Sequence, residues 1–241
     1  MAGPQRYLED QGIAIAQGRV VDTSVRNIFG VQPETPNANF VPLWENATAY
    51  TYPTVAVQLD VQTAATDTAT IKIIGLDANY NEISEVVVLN GIILTDQTTT
   101  TEFFRVNDLI TIAGNCTGNV TVVQTGTSDV VAKMNGGTGR NQASIYTVPA
   151  GCEFHLTRLN GYTAETGLNP NERTAFFRNF VGLSNGVELR VAELAFHNTF
   201  NIYRTNPFKY SEKTDIQLQM KASATSQECA IFAEGLVIKT R

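Results

Sequence analysis

The chain has 241 residues, enough for one large β domain or two smaller ones, and its 43% hydrophobic content argues against overall disorder. A formal charge of −6, a pI near 5.0 and the lack of any clustered run of Lys and Arg exclude nucleic acid as an expected direct partner, because an acidic surface is repelled by phosphate. Thirty threonines and twenty-two valines, against six lysines and three methionines, favour strand over helix, while twenty asparagines and eighteen glycines supply turns.

The opening "MAGPQRYLEDQG" lacks the apolar stretch of a signal peptide. The most apolar window, Val86 to Leu94, is broken by Asn90 and Gly91 and is far short of a bilayer span. Synthesis in a cytoplasm is therefore expected, with no membrane partner. Within residues 1–54 the period-two alternation is weak, and Pro33, Pro36, Pro42 and Pro53 interrupt any long element. Yet Phe29, Phe40, Trp44, Tyr50 and Tyr52 are spread along the segment, whereas a disordered tail is poor in aromatics. The preferred expectation is an extended N-terminal arm whose five aromatics pack against a partner subunit. The competing reading is a set of loops and short edge strands packed on the chain's own core. The first reading implies that deleting residues 1–50 leaves the rest folded.

From residue 55 to 125 the pattern is clear. "VAVQLDV" alternates Val55, Val57, Leu59 and Val61 against Ala56, Gln58 and Asp60, and "TIKIIG", "ISEVVVL", "EFFRVNDLITIAG" and "NVTVVQT" follow with turn clusters between them. The join "GLDANYNE" places Asp77, Asn79 and Asn81 at the first three ligand positions of a calcium loop. The glycine expected sixth is Glu82, however, and the closing glutamate is Val88. With strands on both sides, a hairpin turn is expected. Residues 126–142 read as a Gly-rich connector. Their Gly136, Gly137 and Gly139 are followed by no Lys-Ser or Lys-Thr pair and by no helix, as a phosphate loop or dinucleotide fingerprint would require. Residues 143–241 form a second alternating block, with "VELRVAEL" and "TDIQLQMKA" its plainest strands. The expected fold class is all-β: two β-sandwich or jelly-roll-like domains, 55–125 and 143–241, preceded by the arm, with one continuous sandwich as the alternative.

Chemistry is sparse. "GLSNG" fits the G-x-S-x-G nucleophile elbow, but a strand follows Ser184 where a helix is needed, and His197 precedes Asp215, reversing the required order. The two histidines, His155 and His197, are too few for a common zinc site. Cys116, Cys152 and Cys229 lack C-x-x-C spacing and are expected as buried free thiols. No enzymatic activity, catalytic residue, cofactor or metal is expected.

Three stretches carry a resemblance. "FGVQPETPNANFVPLWENATAYTYPT" resembles the amino-terminal segment of a group of tailed-bacteriophage virion proteins, in which a Phe-Gly step leads to a Trp and then to Tyr-Pro-Thr. "IKIIGLDANYNEISEVVVLNG" is similar to their central hairpin, and "ASIYTVPAGCEFHLTRL" with "SEKTDIQLQMKASA" resembles their carboxy-terminal domain. The chain departs from the group at Cys152, where a lysine is common, and "GIILTDQTTTTEFFRVN" keeps only the general form. The resemblance implies a virion structural protein. The expected role is capsid decoration (cement) on the head surface, binding the major capsid protein and associating with itself as a trimer. Tail, baseplate or head-fibre components and a host-glycan-binding module are the alternatives.

Overall fold

The structure, a computed structural model, describes residues 14–15, 17–36, 38–46, 50–164, 174–183, 187–223 and 227–240. Among these the protein is all-β, with helical residues confined to Ala14 and Ile15. Two strands come first, β1 (Thr23–Thr35) and β2 (Val41–Pro42). Seven follow: β3 (Leu59–Thr63), β4 (Thr70–Leu76), β5 (Glu82–Val88), β6 (Gln97–Thr98), β7 (Arg105–Ala113), β8 (Val120–Gln124) and β9 (Val130–Met134). The last seven are β10 (Ile145–Thr147), β11 (Cys152–Ala164), β12 (Thr174–Gly182), β13 (Glu188–His197), β14 (Thr199–Tyr210), β15 (Asp215–Ala222) and β16 (Gln227–Lys239).

Four antiparallel sheets result, and they enclose two separate cores. Sheets β6-β3-β8-β9 and β5-β4-β7 hold the smaller core, centred on Leu59, Val61, Ile71, Ile73, Leu109, Val120, Val122 and Met134. Sheets β1-β16-β11-β14 and β10-β15-β12-β13, the latter extended by β2 on β15, hold the larger, centred on Phe154, Leu156, Phe177, Ile216, Leu218 and Met220. The smaller unit is thus an insertion between β2 and β10. Counting the larger unit's eight main strands in chain order and leaving out β2, one sheet reads 1-8-3-6 and the other 2-7-4-5. The four small sheets do not form two clear jelly-roll domains: the inserted unit sets four strands against three.

The N-terminal segment differs from expectation. β1 pairs with β16 from Thr23↔Ile238 to Thr35↔Gln227, with an irregularity between Gln32 and Thr35 that accommodates Pro33. Ile28 is buried in the larger core, while Val25 and Phe29 point outward. Apolar residues on both faces hide the period of two, so the strand reads as irregular. Gly30 is needed for packing: a Cβ there would lie 2.5 Å from the Leu43 carbonyl oxygen and from the Ser144 Cβ. At that crossing the Leu43 N–H donates to Ser144 Oγ (2.7 Å), the Ser144 N–H donates to the Leu43 carbonyl (2.8 Å), and the Ser144 hydroxyl donates to the Leu218 carbonyl (2.7 Å). The stretch is a structural part of the larger unit.

The expected connector at 126–142 also differs. β9 lies inside it, pairs with β8 and buries Val131, Ala132 and Met134; the glycines supply only the loop that follows. The carboxylate of Glu45 binds that loop by accepting the Asn135 and Gln142 N–H groups, each at 3.0 Å.

The Asp77 stretch is the hairpin turn between β4 and β5, closing from Gly75↔Ile83 and Leu76↔Glu82. Asp77 Oδ1 accepts the Asn79 and Asn81 N–H groups, both at 2.8 Å, the side-chain-to-backbone bonding that makes such a turn. All three cysteines are buried free thiols.

Two predictions follow from the packing. Deleting residues 1–50 removes β1 and β2 and should unfold the larger unit, seen as loss of cooperative melting; a truncated protein that melts like the full chain would refute the assignment of β1 to that core. Asp67 is buried, which acts to raise its pKa. Hydrogen bonds from the Thr117 N–H and hydroxyl, the Gly118 N–H and the Thr63 hydroxyl outweigh burial and hold the carboxyl at about 2, below the ordinary aspartate value of 3.8. A depressed carboxylate stabilises the fold above its unfolded pKa, so this contribution is present at neutral pH and lost as pH falls from 3.8 to about 2. Urea titrations should show the wild type losing stability more steeply across that window than Asp67→Asn.

Candidate functional site

A buried polar region lies at the seam between the inserted unit and the larger one. Arg105 opens β7 and Asp215 opens β15, so two sheet edges bring together residues far apart in sequence. Arg105 Nε donates to Asp215 Oδ1 at 2.9 Å and its Nη2 to Oδ2 at 3.0 Å, a bidentate pair with side chains 8% and 16% exposed. Its Nη1 donates to the carbonyls of Pro53 (2.9 Å) and Phe104 (2.8 Å), and the Thr147 hydroxyl donates to Asp215 Oδ1 at 2.5 Å. Aromatic rings cover the guanidinium: its Cζ lies 4.0 Å from the Phe104 centroid and 4.6 Å from that of Tyr52. Burial acts to lower the Arg105 pKa, but the Asp215 carboxylate outweighs it and raises it. The guanidinium stays charged.

A second polar cluster lies along the same seam. Asp108 accepts Arg26 at 3.2 Å and Arg140 at 2.9 and 2.5 Å. Asn107 and Thr147 exchange two hydrogen bonds of 2.8 Å, and the Tyr80 carbonyl in the β4–β5 turn accepts the Ala150 N–H at 2.8 Å. Directed polar contacts join the units there.

These contacts absorb most of the aromatics expected to face a partner. Trp44 is 2% exposed and meets Tyr50 edge-on at 5.1 Å; Tyr50 meets Tyr52 at 4.9 Å; Tyr52 covers Arg105. For Trp44, Tyr50 and Tyr52 the self-packing reading describes the fold. Burial pushes the Tyr50 and Tyr52 hydroxyls well above their ordinary range. Phe40 is half-buried beneath Arg178, at 4.4 Å, and Lys221, at 5.4 Å. Phe29 alone of the five is well exposed, at 40%, and it lines a shallow apolar groove of about 340 Å³ with Tyr162, Phe200, Phe232, Asn160 and Asn201.

The seam opens into a cleft of about 610 Å³ lined by Tyr50, Tyr80, Phe104, Phe180, Glu188 and Gln217 beside the Arg105–Asp215 pair. Among the described residues its lining includes Thr54 but no Ser, Cys or His, and Asp215 neutralises its cation. His155 sits outward on β11, 3.2 Å from Glu153, and His197 Nδ1 lies 2.9 Å from the Thr174 hydroxyl, on the other sheet. The Lys209 ammonium, 2.6 Å away, and then His155 lower the Glu153 pKa. Ser184 lies outside the described residues. Among the described residues no group of three or more His, Cys, Asp or Glu is placed to hold a metal ion.

Sequence reading missed the seam. Its signal is Arg105 between Phe104 and Val106, a cation at the start of an apolar strand, which implies a buried counter-charge without naming it.

Neither a protein-family profile nor a curated protein matches the chain. Among solved structures, a two-domain protein of unknown function from Bacteroides fragilis overlaps with a TM-score of 0.21 at 10% identity, covering 93% of this chain and 99% of that one. Infectious bursal virus derived T=1 particles overlap at 0.20, with 11% identity and 90% and 70% coverage. The infectious bursal disease virus VP2 subviral particle overlaps at 0.21, with 8% identity and 90% and 72% coverage. Two of these neighbours are viral capsid proteins; at such scores the overlap carries no argument about this chain.

Removing one partner of the seam pair leaves the other charge buried, so Arg105→Ala or Asp215→Ala should cost on the order of 3 kcal/mol in urea unfolding. Arg105→Lys, which keeps the charge but loses the fork, should also lose stability. Equal stability of all three variants with wild type would show that the pair does not hold the units together.

Proposed function

We propose that this protein is a non-enzymatic structural component of a tailed-phage virion, most specifically a decoration protein that binds the major capsid protein on the head surface. The observation that carries the reading is the strand order of the larger unit. The sequence 1-8-3-6 over 2-7-4-5 is that of a long hairpin rolled so that successive rungs fall alternately in the two sheets, a jelly roll. Jelly rolls recur in viral capsid and lectin domains. The resemblance of the Phe29–Thr54, Ile71–Gly91 and carboxy-terminal stretches to phage virion proteins supports the capsid side of that pair.

In this reading the protein is made in the host cytoplasm and ends in the virion, without direct contact to nucleic acid or membrane. Self-association as a trimer is proposed from the threefold sites of capsid lattices in general. Contact with the capsid protein falls to surfaces other than the buried Trp44 and the half-buried Tyr50 and Tyr52, and Phe29 with its groove is the exposed part of the originally expected set.

Purified protein should bind undecorated phage heads, with a copy number per virion comparable to that of the major capsid protein by quantitative mass spectrometry. Phe29→Asp should weaken that binding with little loss of stability. A copy number fixed by a tail or vertex, or binding to tails alone, would move the protein elsewhere in the virion. Binding only to host polysaccharide would favour the lectin side.

A further inference from the structure

β13 is an edge strand, bonded along one side to β12 and, among the described residues, with no strand on its other side. Its first residues are apolar and open: Leu189 is 45% exposed and Val191 37%, with Val187 just before the strand at 44%. A long edge strand normally carries a device against pairing with other chains, most simply charges of one sign or a proline. Other long edges here have them. β14 carries Arg204, Lys209 and Pro207, and β5 carries Glu82 and Glu85. β13 mixes signs instead, with Glu188 and Arg190 on either side of Leu189 and Glu193 further along, and its bulge comes only from Arg190 onward.

That arrangement is self-complementary. We propose that β13 pairs antiparallel with β13 of a second copy of this chain, about a two-fold axis through Leu189. Directly opposed residues of an antiparallel pair share a face. Leu189 then meets the second copy's Leu189, Val187 meets its Val191, and Glu188 meets its Arg190 on the opposite face. Each contact occurs twice except the central one. The shift of register against β12 places an irregularity between Asn179 and Phe180, opposite Arg190 to Ala192, which bends the strand there and limits the ladder to a short segment. Two copies of the larger unit's five-stranded sheet would become one continuous sheet. The pairing follows from β13 alone and does not depend on the virion role; it joins copies in pairs and is distinct from any threefold contact.

Charge exchange tests it. The wild-type protein, followed by sedimentation equilibrium up to about 1 mM, should show a reversible monomer–dimer equilibrium. Glu188→Arg or Arg190→Glu alone sets like charges opposite each other and should weaken dimerisation at least about tenfold. The double variant E188R/R190E restores opposite pairing and should recover dimerisation to within about threefold of wild type. As a second readout, Leu189→Cys should form a disulfide-linked dimer under mild oxidation, because Cα atoms of directly opposed residues lie within disulfide range. Ala195→Cys, exposed on the same strand, should not. A protein monomeric at every concentration, a dimer indifferent to the single exchanges, a dimer not restored by the double exchange, or equal crosslinking at positions 189 and 195 would each overturn the proposal.

Discussion

A guanidinium that must be buried and must be paired organises this molecule. Arg105 reaches a place where water is scarce, and an uncompensated charge there would cost several kcal/mol. The fold brings Asp215 to it in a two-pronged contact, sets Thr147 behind Asp215, turns two carbonyls toward the remaining donor, and covers the cation with aromatic rings. Gly75 belongs to the same arrangement, since a Cβ there would collide with the Arg105 carbonyl. A hydrophobic seam would tolerate sliding. A forked ion pair fixes the two units in one register, and the Asp108 cluster adds a second fixed point.

Much of the fold was legible in the sequence, for a reason visible at particular residues. Strands with one face in a core and one in solvent, such as β4 with Ile71 and Ile73 inward of Lys72, display their period directly. The turn at Asp77 declares itself through side chains that bond nearby backbone. β1 was obscured because Val25 and Phe29 are apolar on its outward face, and β9 because the glycines after it suggested a linker throughout.

The candidate site was less legible, because it is made of long-range pairs. Nothing near Arg105 in the chain announces Asp215, and nothing near Asp108 announces Arg26 and Arg140. Aromatic content pointed to packing of side chains along this stretch, but composition does not say against what. The answer for Trp44, Tyr50 and Tyr52 is the chain's own seam.

The pairing of β1 with β16 has a consequence in time. Thr23 and Ile238 are neighbours in the sheet but are among the first and last of the described residues to be made. The larger unit cannot close until nearly all of this sequence has been synthesised, whereas the inserted unit, whose strands are all contributed by residues 59–134, can form earlier from more local contacts. During that interval β1 waits as an unpaired strand with Phe29 and Val31 uncovered. Slow translation near the carboxy-terminal end would lengthen the exposure and favour aggregation. The inserted unit would then be a folded bystander, flanked by halves of a sandwich still waiting to meet.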